Sequence, residues 1–173
     1  MRFPNRLKRC AATLFATATL PALAQDRTVP IETTSLPMAE AVTAANAAVE
    51  RCAGEGHRVV AIVLNTEGNI QVFLRGDGAT SYAIDSARMK AYTLANLGPI
   101  RDQDSSAAVA ENILSSGNAN PQLSNIPGML LVGGARMIVR DGARAGVLGV
   151  AGAPGGDLDE ACADAGVQAI TGG

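Results

Sequence analysis

The chain has no tryptophan, two tyrosines and three phenylalanines in 173 residues. A core this poor in aromatics must be filled with Ala, Val, Leu, Ile and Met, and small side chains each bury little area at about 25 cal/mol per Å². Stability is therefore expected to draw on subunit contacts or a covalent staple. Histidine is nearly absent too: His57 stands alone. No Ser-His-Asp or Cys-His arrangement can be assembled without it, and G-x-S-x-G does not occur. A zinc site of the Cys/His type would have only Cys52, Cys162 and His57 to draw on. The chain also lacks a basic excess, with 14 Lys and Arg against 16 Asp and Glu. It has no apolar run approaching the roughly 20 residues of a membrane helix.

What is present begins with the N-terminus. MRFPNRLKR is basic, residues 10–20 are mostly apolar, and Ala22-Leu23-Ala24 is a small-x-small cleavage site. This is the pattern of a secretory signal peptide over residues 1–24, and a periplasmic or secreted protein is expected. Removing it takes four bases and no acid, leaving ten bases against sixteen acids in 149 residues, a formal charge of −6. That balance excludes a phosphate-backbone footprint, so no nucleic-acid partner is expected, nor membrane insertion after cleavage.

Cleavage also removes Cys10, so Cys52 and Cys162 become an even pair in an oxidising compartment. A bridge between them is the favoured reading, with two buried thiols as the alternative. It would close a loop of about 110 residues and stabilise by roughly 4–5 kcal/mol in the chain-entropy model.

Residues 25–36 read as an extended lead-in. Pro37 suits a first helical turn, and Met38, Val42, Ala45, Val49 and Cys52 recur at helical spacing until Gly54 and Gly56 stop the pattern. VVAIVLN (59–65) and the alternating IQVFLR (70–75) are separated by turn residues and predict a hairpin. A second helix is expected from Ser81 to Leu97, with Ile84, Ala87, Ala91 and Leu94 on one side and Gly98-Pro99 ending it. A third is expected over 107–114, then a polar loop over 118–127. Asp141-Gly142 lies between apolar alternations, a strong signal for a type I′ hairpin. The final helix is expected to start near Asp157 as N-cap, with Leu158, Cys162, Ala165 and Ala169 sharing a face. Hairpins segregated from helices argue for an α+β fold, an antiparallel sheet with helices packed on it, in a single domain over 37–173.

The glycine-rich turn at 152–156 lies where many proteins hold a phosphate. Its glycine spacing does not match G-x-G-x-x-G, and Asp157, Asp159 and Glu160 would repel a phosphate while complementing the helix dipole. It reads as a corner. Arg75-Gly-Asp77-Gly-Ala directly follows a strand. Such a loop can bind a carboxylate or simply tie itself together. Ser81, Asp85 and Lys90 follow, with a solvated helix face as the plain reading. His57 is either a surface residue after the first helix or an axial ligand to iron.

Four segments in order resemble the GlcG/HbpS-like haem-binding (haem-degrading) domain family, which includes the C-terminal domain of PduO-type adenosyltransferases. They are VVAIVLNTEGNIQVFLRGDGA, SYAIDSARMKAYTLANLG, IPGMLLVGG and GARAGVLGVAGAPGGDLDEACADAG, and the likeness covers residues 38–170. Asn65 stands where the family usually has Asp. Family haem binders tend to use a histidine in or near the first helix, and His57 falls just past its end. The resemblance implies an antiparallel sheet of about five strands flanked by helices, a homo-oligomer (dimer or octamer), and haem or another tetrapyrrole as ligand in some members. The resulting expectation is a small-ligand binding protein rather than an enzyme. His57 is the metal ligand, with Met38 or Met129 as a weaker partner, and Arg75, Asp77, Ser81 and Lys90 are further ligand-binding candidates. The alternatives are an accessory protein or undescribed enzyme acting on a small organic acid through Arg75, and a structural oligomer without a ligand.

Overall fold

A computed structural model describes residues 36–115 and 120–172; the signal segment and nearly all of the lead-in lie outside the described residues. The elements are α1 (Met38–Gly54), β1 (Val60–Leu64), β2 (Ile70–Arg75), α2 (Tyr82–Arg101), α3 (Ser106–Ser115), a 3-10 turn (Pro121–Asn125), β3 (Ala135–Arg140), β4 (Ala143–Ala151) and α4 (Gly156–Thr171). One antiparallel sheet runs in the order β2-β1-β4-β3. Helices α1 and α4 cover one face and α2 and α3 the other. Along β1 the side chains alternate between the layers: Ala61 and Val63 face α1 and α4, while Val60, Ile62 and Leu64 face α2. Covering both faces explains why β1 reads as an unbroken apolar run.

This is the expected α+β single domain, with four strands described where about five were expected. The difference lies at MLLVGG (129–134), which joins no ladder. Two of its N–H groups bond to side chains, Leu130 N–H to Thr93 Oγ1 at 2.8 Å and Gly134 N–H to Glu160 Oε2 at 3.1 Å, and only Gly134 O, which accepts Val150 N–H at 2.7 Å, meets β4. Both hairpins form as their turn residues demand. Asp141 and Gly142 take φ of 51° and 77° between paired Arg140 and Ala143, the positive angles a type I′ turn requires. In the first hairpin Asn65 Oδ1 accepts the N–H groups of Glu67 (3.1 Å) and Asn69 (2.8 Å). An aspartate would accept the same two bonds, so Asn65 preserves the turn.

The helix boundaries and faces depart from the sequence pattern in instructive ways. Helix α2 runs through Pro99 to Arg101 rather than stopping at Gly98. Gly98 has no Cβ to collide with the proline ring, and Asp102, at φ 53°, then closes the helix. The buried stripe of α1 is Ala41, Ala44, Ala45, Ala48 and Cys52, leaving Met38 69% exposed. On α4 it is Asp159, Cys162, Ala163 and Gly166, leaving Ala169 exposed. The N-cap of α4 is Gly155, in extended conformation, and Asp157 is an exposed residue of the first turn.

Both stripes shifted toward small residues because α1 and α4 pack directly on each other. A Cβ on Gly166 would lie 2.5 Å from Ala44 O and 3.1 Å from Ala48 Cβ. The same crossing carries the disulfide: Cys52 and Cys162 are bridged, their Cα atoms 5.6 Å apart.

One turn from that bridge along α4, a buried ion pair links α4 to α2. Lys90 Nζ, on α2, donates to Asp159 Oδ2 at 2.5 Å and to Val150 O at 3.3 Å, while Asp159 Oδ1 accepts Ala153 N–H at 2.9 Å. Lys90 is only 4% exposed, so the solvated-face reading of this residue is corrected. Its stem passes Gly134, where a Cβ would stand 2.7 Å from Nζ. Burial pushes the Asp159 carboxyl above its ordinary value, against the hydrogen bond and charge of Lys90, the Ala153 amide and the charge of His57.

Three predictions follow from these contacts. Gly166→Ala should destabilise by about 1–3 kcal/mol in urea unfolding, because overpacking against the Ala44 carbonyl outweighs the roughly 1 kcal/mol gain in helix propensity. Cys52→Ala/Cys162→Ala should lose about 4 kcal/mol, and the wild-type chain beginning at residue 25 should show no free thiol when denatured without reductant. Lys90→Met should cost about 3–5 kcal/mol by stranding a buried carboxylate. A raised folded-state pKa means the folded carboxyl holds its proton longer than the unfolded one, so stability falls as pH rises from the unfolded value through the folded value. The Lys90→Met deficit should thus be smaller at pH 5 than at pH 8. Asp159→Asn, which keeps the acceptor for Ala153 N–H, should restore part of the loss when added to Lys90→Met.

Candidate functional site

The geometry around His57 is set by how α1 ends. Cys52 O accepts both Glu55 N–H (3.1 Å) and His57 N–H (2.9 Å), and Gly56 turns the chain with φ of +82°. The backbone doubles back at once and leaves the His57 side chain half-buried beside the last turn of α1. Among the described residues the imidazole makes no hydrogen bond, so both ring nitrogens are free. It stands near enough to Asp159 for its charge to act on that carboxyl.

His57 lines a groove of about 420 Å³ between the end of α1 and the loop after β2. Val49, Ala53 and Val59 supply its apolar part; Glu50, Arg58 and Asp77 supply charge. The volume falls within the range of small-molecule clefts. The loop is drawn against the groove by Gly76, whose N–H donates to Val59 O at 2.9 Å. A Cβ at position 76 would meet Val59 O at 2.9 Å and Val49 Cγ1 at 3.2 Å, so glycine is required for this approach.

The sequence candidates fall in four places. His57 and Asp77 share the groove. Arg75 turns its guanidinium to the Ala79 carbonyl and ties its own loop. Ser81, exposed, precedes α2 without a side-chain capping bond and does not line the groove. Lys90 is committed to Asp159 in the core. Of the methionines, Met38 lies at the opposite end of α1 from His57 and Met129 is buried; neither lines the groove. Among the described residues no group of three or more His, Cys, Asp or Glu is placed to hold a metal ion. No described helix is long and apolar enough to cross a membrane.

Two roles escaped the sequence reading. Asp159 and Glu160 turn inward as acceptors: Glu160 Oε2 takes the N–H groups of Ala107 and Gly134, both at 3.1 Å. The protein's own carboxylates thus fill a place that a phosphate-binding turn would leave to its ligand. Arg58, adjacent to His57 in the chain, enters the groove beside it. A second pocket, of about 80 Å³ between Ala95, Pro99 and Met137, contains none of the candidates.

The comparisons with known proteins follow this geometry. No curated protein matches the chain. The family model described as haem degrading protein HbpS-like matches residues 36–168. A crystal structure of HbpS is 36% identical, with a TM-score of 0.69, over 79% of this chain and 90% of that one. A double mutant of HbpS from Streptomyces reticuli is 34% identical, with a TM-score of 0.70, over 94% of this chain and 99% of that one. A PduOC:heme complex, 21% identical over 79% of this chain and 95% of that one with a TM-score of 0.67, shares the fold. With a matching family model from the start of α1 into α4, and a structural relative above 30% identity across the same layers, the chain belongs to the HbpS-like haem-degrading protein family.

Proposed function

We propose that the protein binds haem or a related tetrapyrrole in the groove at the end of α1, with His57 supplying the axial nitrogen. The observation that carries this is the state of His57: the chain's one histidine, half-buried, without a side-chain hydrogen bond among the described residues, beside the apolar side chains of Val49 and Ala53. Such a site suits a flat apolar macrocycle whose metal needs a neutral nitrogen ligand. The HbpS-like family and the haem complex known for PduOC, which shares the fold, support the choice of ligand. Haem, once bound, supplies the redox and oxygen chemistry; the chain's contribution is to ligate, to cover the macrocycle face and to orient its edge.

The same reading places the protein in the periplasm or outside the cell. The N-terminal segment supports export, and the Cys52–Cys162 bridge is of the kind that persists in oxidising compartments. A homo-oligomer is part of the proposal: Phe73 on the edge strand β2 and Tyr82 at the start of α2 are 43% and 63% exposed, large side chains that a second subunit would cover.

A haemin titration of the purified protein, read by absorbance beside His57→Ala, tests the reading. The expected result is a saturable Soret shift in the wild type and an affinity at least about tenfold lower in the variant, with the axial band pattern changed. A wild type without saturable binding would overturn it.

A further inference from the structure

Arg58 shares the groove with His57 and has no partner of its own among the described residues. The acids that line the same groove, Glu50 and Asp77, form no ion pair with it. Its exposed side chain reaches over Gly78 with the guanidinium end, where a Cβ would meet Arg58 Nη1 at 2.9 Å and Cδ at 3.0 Å. Gly78 has φ of +74°, so the residue that lets the loop turn is also the one that makes room for the arginine. The other cation of this loop, Arg75, is already bonded to Ala79 O.

We propose that Arg58 is the carboxylate anchor of the groove, and that the site takes a planar, apolar ligand that bears carboxylates at its edge. The proposal rests on the haem reading above and deepens it. The macrocycle would lie against Val49 and Ala53, its metal toward His57 and a propionate on Arg58. A guanidinium presents a planar fork of donors matched to a carboxylate, and such charge-assisted pairs are stronger than neutral hydrogen bonds. Glu50 and Asp77 repel a carboxylate elsewhere along the groove, so the charges also set the ligand's orientation.

The test crosses the ligand's carboxylates against the arginine. Purified wild type and Arg58→Gln are each titrated with haemin and with the same iron porphyrin carrying neutral amides in place of both propionates. Wild type should bind haemin about tenfold more tightly than the diamide. Arg58→Gln should lose that factor on haemin and leave the diamide unchanged, and Arg58→Lys should fall between. His57→Ala should weaken both ligands alike. Equal losses on both ligands in Arg58→Gln, or no loss on either, would overturn the anchor while leaving haem binding in place. No saturable binding of either porphyrin by wild type would overturn both readings together. Thermal melts of each variant confirm that the comparison is made on folded protein.

Discussion

The close crossing of α1 and α4, locked by the Cys52–Cys162 bridge, is the constraint on which the rest of the fold depends. The two helices approach closely at Ala44, Ala48 and Gly166, small residues that each bury little apolar area. The bridge compensates by removing conformations from the unfolded chain between residues 110 apart. It also fixes the last turn of α1, and with it the Cys52 carbonyl that turns the backbone toward His57. The groove is therefore a by-product of how two small-residue helices are pinned together.

The second organising feature is the first turn of α4. Its acids do more than complement the helix dipole. Asp159 reaches back to Ala153 and across to Lys90, while Glu160 ties the start of α3 and the 133–134 segment to α4. One turn of helix thus joins the layers on both sides of the sheet. Burial of Asp159 makes this junction costly to charge, and Lys90 is the group that offsets the cost.

Much of the fold could be read from local sequence because the relevant signals are local. Asp141-Gly142 specifies its own turn, Asn65 closes its own hairpin, and the β1 run is apolar whichever faces it meets. The cysteine pair was legible by elimination once the N-terminal segment was set aside. The alanine-rich helices were harder. Alanine occurs all around α1, so periodicity marked the larger Met38 as inward, whereas the neighbour that decides the matter is Gly166, over 100 positions away. Lys90 looked solvated because its partner lies 69 residues on. The His57 site was legible in part. A lone histidine draws notice, but Arg58 gains meaning only when the chain returns 20 residues later and lays Gly78 beneath it.

The span of the disulfide has a consequence for the order of events during biogenesis. Cys52 emerges early in synthesis and Cys162 only eleven residues before the end of the chain. The α1–α4 crossing, the His57 turn and the inward acids of α4 therefore all wait until the chain has been made through α4. Three cysteines allow three different pairings, so Cys10 competes for the early Cys52 for as long as it stays on the chain.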